Sequence, residues 1–275
     1  RNDTSVILDE MKPVIDSAAQ YKWAQSVGYL PLTRRAILCR QYECLQCISH
    51  LVESGRGYAA VPLLRPACEE LIWAKYLATI DKGSANELLL CIAQKEIHDS
   101  LVAQDGYLGR AATKEAGLLI PLERLTHHLP EIRRRLGILG NKLRWPKKFI
   151  EKGAVPSIAW LAKETGNTKM YNFLYHAASR YVHFSMGELL RRAWGTPAEL
   201  TIRSANFGEY WSSFALAWGL RLLSDTYLVM HEYLEADGVI DPDAGDGSKI
   251  LDAYKRIAEF GLVPIITRAE LNWKE

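Results

Sequence analysis

Apolar residues recur every three to four positions along most of this chain, and the two-residue alternation of half-buried strands is nearly absent. This periodicity predicts long amphipathic helices, and the proline and glycine residues between periodic segments mark helix ends. The chain is therefore predicted to be an all-α, multi-helix bundle. The main helices are expected over Thr4–Ser26, Pro31–Ser54, Pro62–Ile80, Ser84–Gln104, Thr168–Trp194 and Glu209–Ala236.

No internal repeat and no low-complexity linker divides the sequence, so residues 1–275 are predicted to form a single helical domain. Frequent proline and glycine residues predict an irregular, partly basic insert at about 105–165. Within it, Pro130 is expected to start a helix that Gly137 and Gly140 weaken. A short helix from Lys249 and a tail, at about 249–275, are expected to complete the domain.

Composition favours a cytoplasmic protein without a membrane partner. The formal net charge of +2 is too small to imply a polyanionic partner by itself. All five cysteines lie in apolar helical runs, which is typical of reduced thiols. No charged-then-apolar leader opens the chain, and no apolar run reaches membrane-spanning length.

A narrow polar stripe follows one face of the helix predicted over Thr168–Trp194. At about 100° per residue its members fall within roughly 100° of arc. The stripe contains no lysine and no glutamate, so it is predicted to be a mostly buried polar site; a solvated face and ordinary core histidines are the alternatives. Histidine transfers protons near neutral pH, and arginine binds phosphate or carboxylate. The stripe consists of Asn172, His176, Ser179, Arg180 and His183.

A second polar feature is the pair formed by Arg65 and Glu69, four residues apart on the predicted helix Pro62–Ile80. The pair heads an apolar face, so it is expected to be partly buried. We interpret it as meeting the polar stripe, where Glu69 would orient an arginine or a histidine. An ordinary structural ion pair is the alternative.

Two stretches, Leu64–Leu71 (LRPACEEL) and Leu174–Ser185 (LYHAASRYVHFS), resemble a bacterial family of unknown function. Its members carry an Arg-x-x-x-Glu helix and a later Tyr-x-x-x-Ser-x-x-x-His helix, and the similarity extends in layout over about residues 30–235. The matching positions in this chain are Arg65, Glu69, Tyr175, Ser179 and His183.

That family is in turn distantly similar to HEPN domains, all-α proteins common in bacterial defence and toxin systems. The resemblance implies a metal-independent ribonuclease without a cofactor, usually dimeric, in which arginine steadies the scissile phosphate and histidine moves protons. HEPN proteins place four to six residues between the two, whereas Arg180 and His183 are separated by two. A composite site is therefore expected. The candidate catalytic residues are His183, Arg180, Arg65 and Glu69, and the candidate binding residues are Tyr175, His176, Ser179 and Asn172.

A basic segment with interspersed aromatic residues spans 131–152. It is interpreted as a track for an RNA backbone, with a merely solvated basic face as the alternative. The candidate nucleic-acid-binding residues are Arg133, Arg134, Arg144, Lys147 and Lys148.

No metal site is predicted. Cys44 and Cys47 share a helix face from which His50 points away, so small-residue packing is favoured over zinc binding. The acidic run at 241–246 lacks the glycine that a calcium loop requires at its sixth position.

The leading functional hypothesis is a defence or toxin-type protein acting on RNA through the arginine and histidine cluster. The alternatives are a ligand- or nucleotide-sensing regulatory module and a non-catalytic, partner-binding helical protein. The partners considered are RNA, a nucleotide and a second copy of the chain in a homodimer.

Overall fold

A computed structural model describes residues 2–22, 28–183, 185–194, 199–203 and 206–239, together with Lys255 and Ile265. Nearly all regular structure in these residues is helical, which confirms the predicted all-α, multi-helix class. The helices are α1 (Asn2–Ala19), α2 (Tyr29–Glu53), α3 (Gly57–Ala60), α4 (Leu64–Ala78), α5 (Lys82–Leu108), α6 (Arg110–Glu115), α7 (Leu119–Lys142), α8 (Lys147–Ile150), α9 (Ile158–Glu164), α10 (Thr168–Val182), α11 (Met186–Arg191) and α12 (Gly208–Ala236).

Two short strands follow α11. Strand β1 (Ala193–Trp194) pairs antiparallel with β2 (Thr201–Ile202), and Ala193 lies opposite Ile202. The prediction that Thr168–Trp194 forms one continuous helix is therefore wrong, because the chain leaves helical geometry after Val182 and Trp194 lies in a strand.

The chain divides into two compact units. The first unit comprises Arg1–Trp23, Leu32–Lys75 and Ala162–Glu275, and the second comprises Ala24–Pro31 and Tyr76–Leu161. The residues predicted to carry chemistry on the polar stripe belong to the first unit, and the basic segment belongs to the second.

The core of the first unit is formed by α1, α2 and α12. Each helix contributes side chains at intervals of three or four residues, which places them on one face. Gly57 of α3 allows close approach to α12, because a Cβ there would overlap Ser212. This contact fixes the start of α4, which follows the 3-10 turn Val61–Leu63. The buried core residues include Ile7, Met11, Leu38, Leu45, Leu223 and Met230.

The second unit is built around α5 and α7. Buried Leu88 and Cys91 of α5 and Ile132 and Leu136 of α7 supply apolar contact surface, and an ion pair joins Arg135 to Glu87.

The predicted irregular insert contains a regular helix, and this corrects the prediction. Helix α7 continues through Pro130, Gly137 and Gly140. Burial of its apolar face outweighs the local helix-weakening tendency of those residues.

None of the described helices is long and apolar enough to cross a membrane. Of the helix expected from Lys249, only Lys255 lies within the described residues, so the rest of that prediction falls outside them.

Candidate functional site

The first turn of α4 meets the carboxyl end of α10 through the side chain of Arg65. The Arg65 Nε donates a hydrogen bond to Glu69 Oε1 at 3.2 Å, one helical turn away. Its guanidinium carbon lies 4.6 Å from the centre of the Tyr175 ring, and its Nη1 lies 3.4 Å from His183 Nε2. The pair reaches the polar stripe through Arg65, which contacts His183, while Glu69 holds Arg65. We call these four residues the Arg65 cluster.

His183 reaches Arg65 because α10 ends just before it. The backbone of His183 is extended, with φ −106° and ψ 162°, and its N–H still donates to Ser179 O at 3.0 Å. The His183 side chain therefore reaches Arg65 from the end of a helix. The sequence had predicted that it would lie on the face of a continuous helix.

The hydrogen-bonding roles in the Arg65 cluster follow from the chemistry of its groups. A guanidinium only donates hydrogen bonds, so a bond between Arg65 Nη1 and His183 Nε2 requires the imidazole lone pair. His183 Nε2 is thus a proton acceptor placed directly beside a fixed positive charge.

The polar stripe lies at the surface, contrary to the prediction of a mostly buried site. Asn172, His176 and His183 are exposed, and Tyr175 is 38% exposed. The opposite face of α10, formed by apolar residues such as Leu174, packs inward and turns the stripe towards solvent. The Arg65 cluster is therefore open to a large ligand.

Ser179 differs from the rest of the stripe. Its Oγ is buried and has no hydrogen-bonding partner among the described residues. It lies one turn before His183 and accepts that residue's N–H through its own carbonyl oxygen. Ser179 therefore stabilises the last turn of α10, four residues before His183 of the Arg65 cluster.

Arg180 is held in a separate, partly buried network around Glu188. Its Nε lies 3.2 Å from Glu188 Oε1, and the same carboxylate oxygen lies 2.8 Å from Nη1 of Arg191. Glu188 is only 8% exposed. Burial and the nearby Glu188 carboxylate raise the pKa of Tyr181 above its ordinary value. The structure therefore brings Arg65, rather than Arg180, beside His183.

Glu188 was not among the candidate residues predicted from the sequence. The available signal was its position as the one acidic residue among the cations Arg180, Arg191 and Arg192. Partial burial of two arginines favours a nearby compensating carboxylate, and Glu188 is the acidic residue between them in sequence. Its helix, α11, places Glu188 and Arg191 inward and leaves apolar Leu189 exposed.

The basic segment of the second unit separates into paired and unpaired cations. Arg134 binds Glu131 through two hydrogen bonds of 2.7 Å. In the fully described stretch from 131 to 152, no ion pair involves Arg133, Arg144, Lys147 or Lys148, and all four are exposed.

The described residues contain no group of three or more His, Cys, Asp or Glu side chains arranged to hold a metal ion. Cys44 Sγ donates to Leu63 O at 3.3 Å, and burial raises the pKa of this thiol to about 12. The acidic run at 241–246 lies outside the described residues.

Comparison with known proteins finds one family. The model of a family of unknown function, DUF5677, matches residues 35–198, which is more than half of the chain and includes the whole Arg65 cluster. No curated protein and no solved structure matches the chain. The chain therefore belongs to the family of unknown function DUF5677.

Proposed function

We propose that this protein is a ribonuclease whose reaction takes place at the Arg65 cluster without a metal ion. The observation that carries the proposal is the 3.4 Å approach of Arg65 Nη1 to His183 Nε2 at an exposed site. A guanidinium that stabilises charge on the phosphate and an adjacent imidazole that accepts a proton are two groups suited to base-catalysed cleavage of an RNA phosphodiester.

Arg65 would bind the scissile phosphate. Its guanidinium is held on one side by Glu69 and lies over the Tyr175 ring, so its orientation is fixed before a ligand arrives. A pre-oriented guanidinium can donate two hydrogen bonds to a phosphate and stabilise the charge that develops on it. Glu69 and Tyr175 are positioning residues in this proposal.

His183 would act as the general base. Its Nε2 takes the proton of the ribose 2′-hydroxyl while the 2′ oxygen bonds to phosphorus. The bond between phosphorus and the 5′ oxygen breaks, and the leaving oxygen takes a proton from water. The hydroxide that remains takes the proton from His183 Nε2, which regenerates the base. The products are a 2′,3′-cyclic phosphate and a 5′-hydroxyl, so atoms and protons balance without an oxidant or reductant.

Exposure favours this proposal over the alternatives considered from the sequence. An enclosed pocket along the polar stripe would suit a sensor of small ligands, and full burial would suit a purely structural role. His183 and Tyr175 are instead open to solvent, which suits a polymeric substrate. The HEPN similarity implied by the motifs points to RNA as that polymer.

The test is cleavage of single-stranded RNA in the presence of EDTA, comparing the wild type with His183→Ala and Arg65→Lys. We expect each substitution to lower the cleavage rate on the order of 100-fold. His128→Ala is the matched control, since this exposed histidine lies on α7, outside the Arg65 cluster, and its ring contacts that of His127.

Product analysis makes the test specific. We expect a 2′,3′-cyclic phosphate end, and equal cleavage by the wild type and His183→Ala would overturn the proposal. Binding of RNA by a folded wild type that does not cleave it would also reject catalysis and leave the Arg65 cluster as an anion-binding site.

A further inference from the structure

The second unit carries a concentration of positive charge that its own carboxylates do not neutralise. Eight lysine and arginine residues lie between positions 133 and 152. Three of them, Arg134, Arg135 and Lys142, form ion pairs with Glu131, Glu87 and Asp81. The remaining five are exposed and have no carboxylate partner within this fully described stretch: Arg133, Arg144, Lys147, Lys148 and Lys152. We call these five the α7–α8 surface.

Close contacts at two glycines, Gly153 and Gly140, hold the segment that contains α8 against α7. Gly153 has φ +53°, and a Cβ there would lie 2.7 Å from the Cβ of Arg133. Lys152 is therefore held next to Arg133 of α7. Gly140 makes room in the same way for Ile150 and Trp145, because its Cβ would lie 2.9 Å and 3.0 Å from their side-chain atoms.

Arg144 is presented by a constrained turn. Its φ of +57° is uncommon for a residue other than glycine. The following Trp145 is buried, and it anchors the turn through two hydrogen bonds. Its backbone N–H donates to Gly140 O at 2.8 Å, and its Nε1 donates to Tyr76 Oη at 2.7 Å. The charge of Arg144 is thus displayed by a rigid support three residues before Lys147.

We infer that the α7–α8 surface binds the phosphate backbone of single-stranded RNA. Five clustered cations oppose one unpaired carboxylate, Glu151, so the surface suits a polyanion. Lys148 lies 4.9 Å from the Phe149 ring, which adds an aromatic group of the kind that bases stack on.

An anionic membrane fits this surface less well. Binding at a lipid interface needs an apolar face that inserts between headgroups. Ile138 is the only large apolar side chain exposed between residues 133 and 152, all of which the structure describes. The choice of RNA over other nucleic acids rests on the proposed function.

The test measures binding rather than cleavage. All proteins carry His183→Ala, and the probe is a fluorescent oligouridylate of about 20 nucleotides. Adding Lys147→Ala and Lys148→Ala should reduce the slope of log affinity against log salt concentration by about 1.4, since each lost single-strand phosphate contact contributes about 0.7. Lys147→Arg with Lys148→Arg should retain the slope of the parent.

Lys82→Ala with Lys114→Ala is the matched control, since it removes the same charge from exposed lysines of the second unit. Equal slopes for the control and the Lys147/Lys148 alanine variant would overturn the inference. A reduced slope supports it even if the His183-containing protein cleaves no RNA, so failure here is distinguishable from failure of the proposed function. Vesicles that contain both phosphatidylserine and phosphatidylcholine provide the membrane comparison. Binding to these anionic vesicles as tight as binding to the RNA would also contradict the inference.

Discussion

Glu70 is a partly buried carboxyl group that follows Glu69 of the Arg65 cluster on α4 and contacts residues of α2. Its side chain is 15% exposed and lies 2.7 Å from Arg40 Nε, and Gln41 Nε2 donates to it at 3.3 Å. Burial raises the pKa of Glu70 to about 7, by more than Arg40 and Gln41 lower it. Glu70 therefore titrates near neutral pH in the folded protein.

The sign of the resulting pH dependence follows from this raised pKa. The folded protein holds the Glu70 proton more tightly than the unfolded chain, in which the pKa is 4.5. The stability that this proton contributes is fully present below pH 4.5 and is lost as pH rises through about 7. The free energy of unfolding of the wild type should therefore fall by on the order of 3 kcal/mol as pH rises through this range. Glu70→Gln should remove this pH-dependent loss.

Urea unfolding of Glu70→Gln and wild type from about pH 5 to about pH 8 measures this difference. Glu43→Gln provides the control, because Glu43 is an exposed glutamate on α2. A pH profile of Glu70→Gln parallel to that of the wild type would contradict the assignment.

Residue chemistry allowed part of the site to be predicted from the sequence. Arg65 and His183 were expected to meet because both stood at polar positions of otherwise apolar helices, and they do meet. The partner of Arg180 was not predicted, since Glu188 lies on a separate helix, α11, and helical periodicity does not encode the end of α10 at Val182.

At the scale of elements, periodicity located long helices better than their boundaries. Helix α12 begins at Gly208, one residue from the predicted start, and ends as predicted at Ala236. The α10 boundary was missed because no proline or glycine marks Val182. The start of α7 was wrongly placed at Pro130, a local signal within the helix. Tertiary burial, which local sequence does not report, decides such cases.

Packing of α8 on α7 depends on the absence of a side chain at Gly153. We expect Gly153→Ala to destabilise the protein by about 1–3 kcal/mol more than Gly117→Ala. Both glycines have positive φ, at +53° and +73°, but only Gly153 has atoms within 4 Å of the added Cβ. The difference isolates the overlap with Arg133 from the cost of the left-handed backbone.

Urea denaturation, monitored by circular dichroism, measures the free energy of unfolding of Gly153→Ala and of Gly117→Ala. Equal destabilisation by the two substitutions would show that α8 shifts away from Arg133 at no cost. Such a result would also weaken the support proposed for the α7–α8 surface, since Lys152 is placed by the same contact.

For the molecule as a whole, burial is concentrated unevenly among the helices. Helix α12 buries thirteen residues, including Phe214 and Leu223, which are fully inaccessible. Helix α6 buries only Thr113. Opening a helix to solvent costs free energy in proportion to the apolar surface exposed, so local stability should follow the same order.

Hydrogen exchange measured over the whole chain tests this order directly. We expect backbone amides in the centre of α12 to exchange at least about 100-fold more slowly than those of α6, after correction for intrinsic rates. The α12 amides can exchange only when the buried face bearing Phe214 and Leu223 opens, whereas α6 has little to expose. Comparable protection of the two helices would mean that exchange proceeds only through global unfolding, and stability would then be uniform across the described structure. The expected gradient instead predicts that destabilising substitutions in α12 accelerate exchange in its own amides first.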